Sequence, residues 1–393
     1  MTSASPRTES AGLGLFVAMA IGCGIAVANL YYNQPLLGLL AADFAVSPAT
    51  IGMIPMATQI GYALGLFLLV PLGDIVDRRR LILLQSGALV VALGAMAFAP
   101  VFAVALAASI AVGVASTIAQ QIIPFAAAMA NDGNRGQVVG IVMSGLLGGI
   151  LLARTVSGIV GEHFGWRAAY GLGVALTLGL AFLMAAVLPR GGGVPARGGY
   201  LRLIASLADV ARRHPLLIKS SLVQATQFWG FSVFWSTLAL HLEGPDYGLG
   251  ADVAGSFGVL ALVGVLAAPV SGRLADRRGP DLVIMAGLGA AAVGFLAFAF
   301  WPGIPGLIFG VVVFDFGVQL SMVAHQARIF ALEPAARSRI NTVFMTTLFA
   351  VGAIASAVAS AVFAAGGWFA VTMLGLGATV VGCLIHWFWR PSV

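Results

Sequence analysis

Apolar runs of about twenty residues recur along this chain, and that recurrence leaves few folds open to it. Twelve can be drawn, at about 13–40, 50–72, 81–99, 102–129, 138–160, 168–188, 217–241, 252–272, 282–300, 304–328, 340–364 and 368–389. At about 1.5 Å per helical residue, such runs match a hydrocarbon core about 30 Å thick. Lipid offers backbone groups no hydrogen bonds, so each run is predicted to be a transmembrane helix. Composition agrees: 60% of residues are hydrophobic and 9% charged, and the mean hydropathy is +1.02. A soluble chain needs a more polar surface. The isoelectric point near 9.9 would suggest a nucleic-acid partner for a soluble domain. Here the basic residues sit in short loops, where membrane orientation accounts for them and no nucleic acid is implied. Cys23 and Cys383 fall inside spans, so neither a disulfide framework nor a metal site is expected. The first run is too long for a signal-peptide core and reads as a retained span.

Charge sets the expected orientation. With the N-terminus cytoplasmic, eighteen of the twenty Lys and Arg residues fall on the cytoplasmic side, leaving Arg154 and Arg167 outside that set. This asymmetry predicts that both termini are cytoplasmic. The expected organisation is an N-terminal six-helix half over 1–188, a cytoplasmic linker over 189–216 and a C-terminal half over 217–393. The linker opens on Arg190-Gly191-Gly192-Gly193 and should be flexible there. Tyr200 to Arg213 places Leu201, Ile204, Leu207, Ala208 and Ala211 on one helical face, suggesting an amphipathic helix on the cytoplasmic leaflet. A plain solvated linker is the alternative.

The halves repeat. Gly73-Asp74-Ile75-Val76-Asp77-Arg78-Arg79 matches Gly272-Arg273-Leu274-Ala275-Asp276-Arg277-Arg278 at an offset of 199. Arg135 and Met143 match Arg337 and Met345 at 202, as Gly165-Trp166 matches Gly367-Trp368. Nearly equal offsets in equivalent loops and spans imply two pseudo-symmetric halves of parallel topology. The chain thus resembles the major facilitator superfamily of transporters along essentially its whole length. The copy at Gly272 to Gly279 is close to that superfamily's Gly-x-Leu-Ala-Asp-Arg-x-Gly-Arg-Lys loop. The first copy keeps Gly73, Asp77 and Arg78 but has Arg80 in place of glycine. Asn29-Leu30-Tyr31-Tyr32-Asn33-Gln34-Pro35, the stretch from Ile150 to Gly158 and that from Arg337 to Val343 are similar to the arabinose-efflux-permease and drug:proton antiporter branch. The resemblance implies an all-α twelve-helix major facilitator fold in the bacterial inner membrane and export by alternating access, coupled to protons.

Three groups of residues could carry that chemistry. In the first, Asp77 and Asp276, with Gly73, Arg78, Gly272 and Arg277, form a candidate latch, each carboxylate accepting from helix amides and arginines; topogenic charge alone is the alternative. In the second, Gly145, Gly149, Ala153, Ser157 and Gly161 form a ridge of small residues along span 5, with shorter ridges on span 8 (Gly264, Ala268, Gly272) and span 11 (Gly352, Ser356, Ser360). Spans 5 and 8 meet between the halves in the superfamily, so the span 5 ridge is expected to face span 8. The ridge resembles the fifth-helix motif of antiporters, without its Gly-Pro pair.

The third group is charged and polar at membrane depth. Asp315 sits near the middle of span 10, where an ionised carboxylate costs at least about 2.5 kcal/mol and therefore marks a functional site by default, with a structural acid hydrogen-bonded inside the bundle as the alternative. Arg154 either snorkels to the headgroups or faces a cavity and pairs with Asp315 or a substrate carboxylate. A carboxyl poised between burial and a guanidinium can take a proton facing one side and release it facing the other. His325, about 15 Å further along the helix, is a candidate relay. The resemblance places spans 1, 4, 7 and 10 around a cavity. Their polar and aromatic residues are Asn29, Tyr32, Asn33, Gln34, Gln120, Gln121, Gln224, Phe228, Phe231, Trp235 and Gln319, with Asn341 on span 11; Tyr32 and Trp235 read equally well as interfacial aromatics, and Pro35 should kink span 1. Amides and aromatics suit a small neutral or weakly polar organic compound, drug- or sugar-like. No nucleotide-binding motif, catalytic triad or metal-ligand cluster is visible, so neither an enzyme nor a cofactor is expected. The expected partners are lipid, a small-molecule substrate and protons, for a monomer. Uptake or exchange of an organic anion through Arg154 is one alternative; a non-transporting sensor or lipid-handling protein is another.

Overall fold

A computed structural model describes residues 13–131, 134–189, 199–261, 263–333 and 336–389, with backbone alone for Arg135, Val265, Leu266, Ala268, Pro269 and Asp276. The glycine-rich start of the linker lies outside the described residues, as does the Asp276 side chain of the second latch. Every predicted span is helical. Spans 3, 5, 6, 7, 9 and 10 are single helices: Arg78–Ala97, Arg135–Phe164, Trp166–Val187, Pro215–Leu242, Pro280–Phe300 and Ile304–Phe330. Spans 2 and 4 are interrupted, as Pro48–Ile51 with Met53–Leu68 and Phe102–Ala115 with Ile118–Met129; span 8 comprises Ala251–Leu260 and Val263–Arg278. Arg337–Phe388 holds spans 11 and 12, broken at Gly367. Residues Tyr200–Arg213 form a helix.

Span 1 departs from a simple proline kink. Its helix stops at Ala28 and resumes at Leu37. The chain between runs through i→i+3 turns, such as Tyr31 N to Ala28 O at 3.0 Å and Leu36 N to Asn33 O at 3.1 Å. Irregular backbone at membrane depth is tolerated where protein surrounds it, and Asn29 to Leu36 are all buried.

The halves repeat in three dimensions. Gly165 (φ 84) and Gly367 (φ 66) each open the last span of a half in a conformation that costs other residues a clash. Each is followed by a tryptophan turned inward. Trp166 packs on Phe44 and Tyr170, and Trp368 donates to Phe298 O at 3.0 Å.

The span 5 ridge is real, but its partner differs from the expected one. A side chain at Gly145 would overlap Ala20 of span 1, one at Gly149 would overlap Gly24, and one at Gly161 would overlap Leu36. The ridge therefore binds span 1 inside the N-terminal half. A period of four small residues permits close backbone approach without encoding which helix approaches. Gly149→Leu is accordingly expected to destabilise that half by about 1–3 kcal/mol, the usual cost of overpacking. Thermal unfolding in detergent checks this, and an unchanged melting temperature would refute the assignment.

Helix Tyr200–Arg213 packs part of its apolar side on the protein, while Leu201 at its start is 80% exposed. Leu207 and Val210 are buried. Tyr200 donates to Leu68 O at the end of span 2 at 2.8 Å, and Arg213 pairs with Glu333 in the span 10–11 loop at 3.0 Å. The linker thus touches both halves at the end where the arginines cluster. Glu333, facing His214, Arg213 and Arg339, is held below the usual carboxylate range, chiefly by its hydrogen bond with His214.

Candidate functional site

Arg154 lies in a buried polar cluster with Gln34 and is 1% exposed. It does not snorkel. Its Nε donates to Gln34 Oε1 at 2.6 Å, and its guanidinium carbon lies 4.0 Å from the Trp235 ring centroid, 4.6 Å from Tyr31 and 5.3 Å from Phe231. Burying a guanidinium costs several kcal/mol. An aromatic box, worth up to about 2 kcal/mol per desolvated cation–π contact, offsets part of that cost. The unwound stretch of span 1 brings in both Gln34 and Tyr31. Arg154 Nη2 remains buried without a partner.

Asp315 is 4% exposed, and neither carboxyl oxygen has a hydrogen-bond partner. It faces the Trp235 indole, short of a well-formed hydrogen bond, and lies within electrostatic range of Arg154. The direct Arg154–Asp315 pair considered from the sequence is absent among the described residues. Trp235 instead contacts the cation and faces the acid.

A void of about 10 Å³ adjoins this cluster, lined by Asn33, Gln34, Gln59, Phe228, Phe231 and Phe349 among others. A second, also of about 10 Å³, touches Gln34, Arg154 and Trp235. Each has room for about one water, far below the roughly 300–1,000 Å³ of a ligand pocket, so a solute enters only if these walls part.

Of the expected cavity residues, Asn33, Gln34, Phe228, Phe231 and Trp235 reach these voids. The others are placed elsewhere. Asn29 and Tyr32 pack on Gly173 of span 6. Gln120 donates to the Tyr62 hydroxyl at 3.3 Å, and Gln121 to Leu69 O at 2.8 Å, bracing the end of span 2. Gln224 accepts from Ser321 Oγ at 2.9 Å, Gln319 lies against Gly264, and Asn341 is half-buried. His325 is fully buried at the arginine-rich end, neither ring nitrogen hydrogen-bonded, with Arg328, His386 and Lys219 around it. Asp281 bridges Arg328 and His386 there.

In the first latch motif, Asp77 Oδ1 accepts from Arg80 N at 2.7 Å and caps span 3. Arg78 pairs with Asp74 at 3.0 Å and donates to Gly73 O at 2.9 Å, not to Asp77. A side chain at Gly73 would overlap Gln121. Arg277 and Gly272 are exposed.

Sequence reasoning passed over Gln59 on span 2. Its Nε2 donates to Ser356 Oγ at 2.7 Å, and its Oε1 accepts from Ser232 Oγ at 3.1 Å; Ser236 Oγ donates to Ser356 at 3.0 Å. This network ties the halves together along spans 2, 7 and 11. A lone buried amide in an apolar helix was the available signal.

The halves meet along two seams, both toward the end away from the arginine-rich loops. Spans 2 and 11 touch where Gly52 meets Ser360 and Gly352 meets Phe228 and Gln59, so the span 11 ridge does lie between the halves. Spans 5 and 8 touch through Gly158, Ala251, Gly255 and Gly258, and Thr155 donates to Gly255 O at 3.0 Å.

The Major Facilitator Superfamily profile matches residues 19–223 and 220–393. The chain is 34% identical over 383 residues to YgaY of Escherichia coli O157:H7, an uncharacterized transporter, covering 95% of each chain. It is 32% identical over 388 residues to the probable transporter SCO4007 of Streptomyces coelicolor, covering 96% of this chain and 89% of that one. A bacterial homologue of the human lysosomal transporter Spinster, solved inward-facing and unoccupied, superposes with a TM-score of 0.73 at 15% identity, covering 99% of this chain and 100% of the other. Two six-helix halves joined at a buried polar centre, and a family match along nearly the whole chain, place this protein in the Major Facilitator Superfamily, as a non-enzymatic membrane transporter.

Proposed function

We propose that the protein exports a small neutral or weakly polar organic compound by alternating access, with inward movement of protons as the driving force. The observation that carries this reading is Asp315, a buried carboxyl without a hydrogen-bond partner, next to Trp235 and within range of Arg154. A proton on that carboxyl removes a charge the surroundings do not otherwise satisfy. The adjoining amide and aromatic walls would hold an uncharged solute by hydrogen bonds and stacking. The arginine-rich end is cytoplasmic in this reading, the protein works as a monomer in the bacterial inner membrane, and the seams close the external end. The motif at Gly73 and Gly272 gates the cytoplasmic end, and His325 relays protons toward it.

Flux in proteoliposomes, with and without an imposed pH gradient, tests this. Accumulation that follows the gradient supports it; transport indifferent to pH overturns it. Exchange of a small organic anion is the second reading, favoured by the Arg154 Nη2 that lacks a hydrogen-bond partner beside the second void. It requires that monocarboxylates, and not neutral solutes, raise the melting temperature.

A further inference from the structure

Two carboxylates cross the boundary between the halves at the end where the seams close, in opposite directions. Glu162, from span 5 of the N-terminal half, accepts from Ala251 N at 2.8 Å and so caps the first helix of span 8 in the other half. It sits against Gly250, where a Cβ would fall 2.6 Å from its carboxyl carbon. Glu243, which follows the last residue of span 7 in the C-terminal half, goes the other way. Its carboxyl fills a notch at Gly38, the second residue of helix Leu37–Phe44, where any side chain would overlap it. Glu243 Oε1 is buried there with no hydrogen-bond partner.

The two acids therefore differ. Glu162 has a helix N-terminus to hold its charge. Glu243 lies against the first turn of helix Leu37–Phe44, but its Oε1 gains no hydrogen bond there, and the charge that acts on it from across the boundary is that of Glu162. The other charges nearby are engaged elsewhere: Asp43 pairs with Arg167 at 2.7 Å, Asp252 accepts from Val253 N at 2.7 Å, and Asp246 acts on His241. No cation among the described residues offsets the charge on Glu243.

We propose that Glu243 is a protonation site that locks this end of the transporter: neutral, it stays seated in the Gly38 notch and the halves stay joined, whereas ionised it is repelled by Glu162 and the halves part. Burial, and then the Glu162 charge, push the Glu243 carboxyl up from its ordinary 4.5 to about 7. The sign follows from linkage. The joined state holds the proton more tightly than the parted state, in which Glu243 is solvated. Joining is thus favoured most below the ordinary carboxyl value and is lost as pH rises through about 7. A displacement of this size limits the change in the joined-to-parted ratio to about 300-fold. The proposal rests on alternating access as the working cycle, but not on any role for Asp315.

The test is a distance between spin labels on Ala42→Cys and Pro245→Cys, with Cys23 and Cys383 replaced by serine, in lipid nanodiscs from pH 4 to 9. In the otherwise wild-type protein the short-distance population should fall as pH rises through about 7, because ionisation then favours the parted state. Glu243→Gln, which keeps shape and removes the titration, should retain the short distance throughout. Gly38→Ala, which fills the notch, should lose it even at low pH. A population indifferent to pH in the parent, or a glutamine variant that follows pH like the parent, overturns the lock. A pH-dependent distance in a protein whose flux ignores a pH gradient would support the lock while refuting proton-coupled export, so the two failures are distinguishable.

Discussion

Asp315→Asn is expected to abolish accumulation driven by a pH gradient while leaving substrate binding and substrate–substrate exchange in place. The amide keeps the shape of the side chain and its place beside Trp235, but it has no proton to release. With a gradient of one pH unit, one-for-one coupling supports a concentration ratio of up to about tenfold. The variant should settle at a ratio near unity. Folding should not suffer, since replacing a buried acid without hydrogen-bond partners removes a group whose ionised form is costly at this depth. The melting temperature is therefore expected to hold or rise. Binding is read from the shift in melting temperature with substrate, and coupling from flux under an imposed gradient. If the asparagine variant still builds a gradient, Asp315 is structural, and anion exchange through Arg154 becomes the better account.

The architecture was legible because its causes are local. Apolar runs of fixed length define the spans, and the Gly-Trp pairs at 165 and 367 and the aspartate-arginine loops show the repeat without reference to packing. Arg154 and Asp315 were legible for the same reason, since a charge inside an apolar run stands out whatever surrounds it. What they touch was not. Trp235 reads equally well as an interfacial aromatic or a cavity wall, and only the fold brings it against Arg154 and opposite Asp315. Helix pairing was illegible in the same way. The Gly145–Gly149 ridge tells that a backbone comes close, yet span 1 and span 8 offer similar small residues to receive it. Glu243 looked like one more loop acid. Its burial depends on a glycine more than two hundred positions earlier in the chain.

Gly255→Leu should have the opposite profile to Gly149→Leu: little loss of stability and a large loss of transport. Gly149 lies inside the N-terminal half against Gly24, in a contact that persists if that half moves as a body. Gly255 lies between the halves, where a Cβ would come 3.2 Å from the Arg154 carbonyl carbon and 3.2 Å from Gly158 Cα, and closer still to the Arg154 oxygen. Leucine there forms a wedge between spans 5 and 8. Parting the halves relieves the clash, whereas the joined state must accommodate it at about 1–3 kcal/mol. Converted to populations, that penalty disfavours the joined state by roughly 5- to 150-fold. A carrier that cannot close one end cannot complete its cycle, so exchange and net flux should fall together, unlike in Asp315→Asn. The Ala42–Pro245 label pair should report the longer distance at low pH, where the Glu243 carboxyl alone would keep the halves joined. Full activity in Gly255→Leu, with the short distance retained, would mean that spans 5 and 8 do not separate during transport. The moving boundary would then have to be sought along spans 2 and 11, where Gln59 and Ser356 join the halves by a 2.7 Å hydrogen bond.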